Sequence, residues 1–103
     1  MAWINAGDVS QFPDQMLKKV EVDGWDVVVC RKGDEWFAFE DVCSHMDVPL
    51  SRGAIENYDL ICRAHGARFD LRTGKVLCLP ATAPIEPISC RIESGQLQLD
   101  IDR

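Results

Sequence analysis

Histidine is scarce in this chain: two occur among 103 residues, at positions 45 and 65. Long apolar runs are lacking too, and none approaches the roughly 18 residues that a membrane helix requires. The opening MAWINAGDVSQ has neither the basic region nor the apolar stretch of a secretory signal, so the expected location is the cytoplasm. Positive charge is in short supply, with 11 Lys and Arg against 17 Asp and Glu and a net charge of −6. That balance argues against nucleic acid and anionic membrane as partners. No internal repeat, linker or low-complexity stretch is visible, and no window carries a helical stripe longer than about two turns.

What is present is a core: 47% of the residues are hydrophobic, enough for one small domain spanning residues 1–103. Turn signals recur at Asp23-Gly24, Lys32-Gly33-Asp34, Glu56-Asn57, Thr73-Gly74 and Ser94-Gly95. Short runs rich in β-branched and aromatic residues lie between them. Lys18–Val22 and Asp26–Arg31 read as a hairpin closed through Asp23-Gly24. WFAFE, DLIC, ARFDL, ISCRIE and QLQLDI continue the pattern, the last alternating apolar and polar residues from Gln96 to Ile101. Only the region Asp8–Met16 offers a short helical turn. The expected fold is all-β, an antiparallel sandwich or small barrel with a loop subdomain at about residues 43–80.

That loop subdomain holds DVCSHMDVPL and ICRAHGARFD, each with one cysteine and one histidine. The spacing is Cys43-x-His45, sixteen intervening residues, then Cys62-x2-His65. Two soft and two borderline ligands suit a closed Cys2His2 zinc site. The common zinc spacing, however, puts cysteine with cysteine and histidine with histidine; one of each per loop suits a two-iron cluster, in which two thiolates take one iron and two imidazoles the other. Five cysteines in a cytosolic chain are ligands or buried thiols more readily than disulfides. Cys30, Cys78 and Cys90 read as buried or half-buried strand thiols, and Trp3, Trp25 and Trp36 as packing groups. Between Cys43 and Lys75 five basic residues face four acidic ones, so this segment is +1 and the rest of the chain −7. Arg63 and Arg68 beside His65 suit either a partner contact or a solvated rim, and Met46 either an exposed contact or a place under the loop.

C-x-H…C-x2-H, the extension HGARFDLRTGK and the loop CLPATAPI together resemble the Rieske family, over about Trp3 to Asp100. The resemblance implies one Rieske-type [2Fe-2S] cluster, with Cys43 and Cys62 on the inner iron and His45 and His65 on the outer, solvent-facing iron. Pro80 would lie in the loop covering it. Asp47 stands where many members have glycine. Val48 and Ala64 replace the disulfide of membrane Rieske proteins; Ala67 and Phe69 replace a serine and a tyrosine whose hydroxyls bond to the cluster sulfurs. The soluble ferredoxin subgroup fits better.

For such a protein the resemblance implies a one-electron carrier, not an enzyme. It would pass electrons from a flavin-dependent ferredoxin reductase to the terminal oxygenase of a bacterial aromatic-ring dioxygenase system, as a monomeric shuttle. No histidine remains for the separate mononuclear iron that an oxygenase needs. A small subunit of a reductase such as assimilatory nitrite reductase, and a zinc-stabilised interaction module, are the other readings.

In the oxidised cluster the charges of two ferric ions, two sulfides and two thiolates cancel. Reduction leaves one negative charge where a four-thiolate cluster would carry three, which is why Rieske potentials span about −150 to +300 mV against about −400 mV for plant-type ferredoxins. Without the two hydroxyls the expected potential is near −150 mV. Exposed imidazole ligands would also couple reduction to proton uptake at high pH.

Overall fold

Four consecutive apolar residues, Val27 to Cys30, face two cores at once. The computed structural model describes residues 3–43, 48–63, 66–78 and 83–101, and the run lies in the strand Trp25–Lys32. Val27 and Val29 join one buried cluster with Phe12, Ala38, Leu97 and Leu99. Val28 and Cys30 join the other, with Phe39, Leu50, Leu60 and Phe69. Side chains alternate across a strand, so a strand buried on both faces reads as an unbroken apolar run rather than an alternating one.

In chain order the strands are β1 (Trp3–Asp8), β2 (Leu17–Val22), β3 (Trp25–Lys32), β4 (Glu35–Glu40), β5 (Ala54–Glu56), β6 (Asp59–Ile61), β7 (Arg68–Asp70), β8 (Val76–Cys78), β9 (Pro87–Ile88), β10 (Cys90–Glu93) and β11 (Gln96–Asp100). Two 3₁₀ turns, Val9–Gln11 and Leu50–Arg52, accompany them, and there is no α-helix among the described residues. Three antiparallel sheets form, in the orders β1-β11-β10, β2-β3-β4-β9 and β5-β6-β7-β8. The sheet built around β3 packs the first on one face and the third on the other, as the membership of the two cores requires. The expected all-β antiparallel architecture is what forms, and the loop subdomain carries a small sheet of its own, β5 to β8.

The anticipated hairpin is present in register, with Leu17 opposite Cys30 and Val22 opposite Trp25. Asp23 and Gly24 both have positive φ, 52° and 81°, the turn conformation that matches strand twist in a two-residue hairpin loop. The short helical turn expected in residues 8–16 is the 3₁₀ turn Val9–Gln11. The Asp8 carboxylate accepts the Ser10 N–H at 2.9 Å and the Gln11 side chain accepts the Asp8 N–H at 3.1 Å, a reciprocal cap.

ISCRIE, read as one strand, is two. Ile88 pairs with Ala38 of β4, whereas Cys90 pairs with Leu99 of β11. Ser89 lies between them and its carbonyl accepts the Asp100 N–H at 2.9 Å, so the chain changes sheets there without losing a backbone hydrogen bond. The tryptophans pack as expected. Trp36 meets Phe12 edge-on at 5.6 Å under Arg31, and Trp3 lies under Arg91.

Candidate metal centre

Each proposed cysteine ligand begins a loop, and both loops are closed in the same way. The Cys43 N–H donates to the Val48 carbonyl at 2.9 Å, and the Cys62 N–H donates to the Ala67 carbonyl at 2.7 Å. In both cases the acceptor lies five residues on. Cys62 directly follows β6, and Arg68 opens β7 directly after Ala67, so the second loop is a tight connection held at both ends by the sheet. Cys43 and Cys62 are 3% and 0% exposed and lie in one apolar cluster with Leu50, Leu60, Ala67 and Phe69. None of the five cysteines forms a disulfide.

His45 and His65, the two imidazoles of the proposed set, lie outside the described residues, as do Met46, Asp47, Ala64 and Pro80. The donors in view are thus two buried thiols from two adjacent loops. Soft donors screened from water by an apolar shell suit iron–sulfur and zinc chemistry alike, and their burial favours a group whose own charge is low. The residues present fit a [2Fe-2S] cluster.

The extension HGARFDLRTGK has a structural purpose. Phe69 is fully buried beneath the loops. Asp70 builds the turn that follows: its carboxylate accepts the Arg72 N–H at 3.0 Å, its carbonyl accepts the Gly74 N–H at 2.7 Å, and its N–H donates to Lys75. Thr73 Oγ1 accepts the Lys75 N–H at 3.2 Å. Gly74 has φ +79°, and a Cβ there would lie 2.0 Å from the Ile85 carbonyl oxygen, so no other residue fits. The Gly74 carbonyl in turn accepts the Ile85 N–H at 2.9 Å, which fixes the far end of the loop after β8. Ala67 and Phe69, where hydroxyls were expected to be missing, are both fully buried in apolar surroundings.

The first loop is anchored by a residue that sequence reasoning passed over. Asp41 is 8% exposed and is the buried charged side chain among the described residues. One of its oxygens accepts the Ser51 N–H and the other the Ser51 hydroxyl, both at 2.7 Å, and its own N–H donates to Asp26 of β3. This ties the end of β4 to the 3₁₀ turn that closes the loop. The available signal was the ten-residue spacing of a carboxylate and a serine on either side of Cys43 and Pro49, too common a pattern to single out.

Arg68 is ion-paired to Asp59 at 3.1 Å and Glu56 at 3.6 Å across its own sheet, and the hydrogen bond to Asp59 leads in holding its guanidinium above the ordinary value. Its charge is therefore used internally, whereas Arg63 is exposed in the second loop. Burial pushes the Cys30 and Cys90 thiols up to about 12, which makes them inert packing groups at neutral pH. The half-buried Cys78 thiol donates to the Gly66 carbonyl at 3.7 Å, linking the end of β8 to the second loop. Tyr58 bridges the two lobes: its hydroxyl donates to Glu35, its ring meets Phe37 edge-on at 6.4 Å, and Lys32 and Arg72 lie over it.

The family model described as the Rieske [2Fe-2S] domain matches residues 2–92. The ferredoxin component of biphenyl 2,3-dioxygenase from Rhodococcus jostii (strain RHA1) is 36% identical over 95% of this chain and 89% of that protein. The ferredoxin of carbazole 1,9a-dioxygenase from Nocardioides aromaticivorans IC177 superposes with a TM-score of 0.90 at 26% identity, covering 96% of this chain and 97% of that one. A complex of reduced oxygenase and oxidized ferredoxin in carbazole 1,9a-dioxygenase contains a chain that superposes with a TM-score of 0.87 at 26% identity, over 94% of this chain and 91% of that one.

Proposed function

Because the chain belongs to the Rieske [2Fe-2S] domain family, we propose that it is the one-electron carrier of a multicomponent dioxygenase system. Its cofactor is a Rieske-type [2Fe-2S] cluster, and it works as a ferredoxin component rather than as the oxygenase. In this reading residues 1–103 are a single Rieske domain whose cluster-binding part spans about 43–80. Cys43 and Cys62 hold the inner iron, and His45 and His65 the outer. The observation that carries the reading is the pair of buried thiols at matching positions in two like-closed loops, inside one apolar cluster.

When bound, the cluster supplies a one-electron couple. The residues of the chain determine how that couple is held. The apolar shell of Leu50, Leu60 and Phe69 excludes water from the thiolate side, and the two loop-closing hydrogen bonds fix the cysteine backbones. The electron donor is a flavin-dependent ferredoxin reductase and the acceptor a terminal oxygenase; the acceptor half is supported by the complex of oxygenase and ferredoxin in carbazole 1,9a-dioxygenase. Both partners meet the histidine end in small, transient interfaces, and the carrier acts as a cytoplasmic monomer. No helix among the described residues is long and apolar enough to cross a membrane.

Substitution of the ligands tests this directly. Cys43→Ser and Cys62→Ser are expected to abolish both the iron content and the electron paramagnetic resonance signal of the reduced protein. His45→Ser and His65→Ser are expected to do the same. Retention of a Rieske signal by any of the four variants would remove that residue from the ligand set, and zinc in place of iron in the wild-type protein would overturn the reading.

A further inference from the structure

We propose that Asp41 is a positioning residue that also depresses the redox potential of the bound cluster through its buried charge, an inference that rests on Cys43 being a ligand. Both Asp41 oxygens act as hydrogen-bond acceptors, from the Ser51 N–H and the Ser51 hydroxyl at 2.7 Å. That is the role of an ionised carboxylate. The group is 8% exposed, so bulk water screens it poorly. No cation among the described residues is ion-paired to it; of the other carboxylates lining the same groove of about 550 Å³, Glu40 adds negative charge, whereas Asp26 is paired with Lys19 at 3.8 Å.

Asp41 stands two residues before Cys43, within about 7 Å of chain length. The field of a fixed negative charge buried so near a ligand-bearing residue opposes an arriving electron. The same side chain holds the 3₁₀ turn Leu50–Arg52 against the end of β4, and so sets where the first loop begins and ends. The Ser51 hydroxyl points its proton at the carboxylate and offsets part of its charge. Asp41 and Ser51 therefore act on the potential in opposite directions, although both act on the loop in the same direction.

The test is a redox titration of the holoprotein with electron paramagnetic resonance, applied to Asp41→Asn and Ser51→Ala. Asparagine keeps one acceptor oxygen for the Ser51 N–H and removes the charge. It is expected to raise the midpoint about tenfold in electron affinity, about 59 mV for a one-electron couple. Ser51→Ala keeps the charge and removes the proton facing it, and is expected to hold the midpoint at or below the wild-type value. An Asp41→Asn midpoint that is unchanged or lowered overturns the inference. So does a rise in Ser51→Ala, which would mark the pair as scaffolding only. If Asp41→Asn does not fold, Ser51→Ala decides alone. Absence of a Rieske signal in the wild-type protein would strike the ligand reading instead, a separate failure.

Discussion

Residue by residue, the titratable groups that depart from their ordinary values are those that the fold has put to structural use. Burial holds the Cys30 and Cys90 thiols at about 12, and the hydrogen bond to Glu35 leads in raising Tyr58 above its ordinary value. Each keeps its proton in the folded protein to higher pH than in the unfolded chain. Their contribution to stability is complete below the unfolded values, about pH 8.5 for cysteine and 10 for tyrosine, and is lost as pH rises through the folded ones. Thermal melting is expected to hold level from pH 7 to about 8.5 and then to decline toward pH 12. In Tyr58→Phe the part of the decline above about pH 10 should shrink while the thiol part remains. A melting temperature independent of pH across this range would contradict the assigned environments.

Among the elements, legibility tracked how local the determining interaction was. The β2–β3 hairpin was readable because its turn residues, Asp23 and Gly24, dictate the conformation that pairs the flanking strands. The division of ISCRIE at Ser89 was not, since it depends on two separate partners, β4 and β11, neither adjacent in sequence. β1 escaped notice for the same reason: Trp3–Asp8 pairs with β11 at the opposite end of the chain. At the site, Cys43 and Cys62 stood out by spacing, while Asp41 became visible only once its burial and both of its Ser51 bonds were known. Gly74 was legible as a turn signal but not as a contact. With φ +79° and the Ile85 carbonyl oxygen 2.0 Å from a would-be Cβ, Gly74→Ala is expected to cost at least about 3 kcal/mol. In a domain of this size that lowers the melting temperature by about 10 °C or more. A loss of less than about 3 °C would show that the β7–β8 turn and the loop after β8 are not braced against each other.

At the scale of the whole molecule, the architecture separates two tasks. The sheet around β3 is buried on both faces, while β5 to β8 form a lobe that carries Cys62 between β6 and β7; Cys43, just after β4, joins it in one apolar cluster. Such a division leaves the redox end free to meet partners without exposing the core. The net charge of −6 is concentrated away from that lobe, and Arg63 remains exposed within it. The apolar surroundings of Ala67 and Phe69, which offer no hydroxyl toward the cluster, and the buried charge of Asp41 both act to disfavour reduction. The most direct test of the account is therefore one measurement, the midpoint potential of the purified protein followed by electron paramagnetic resonance. A one-electron Rieske-type signal with a midpoint of about −150 mV is expected; a colourless zinc protein, or a Rieske signal with a midpoint well above 0 mV, would overturn the assignment.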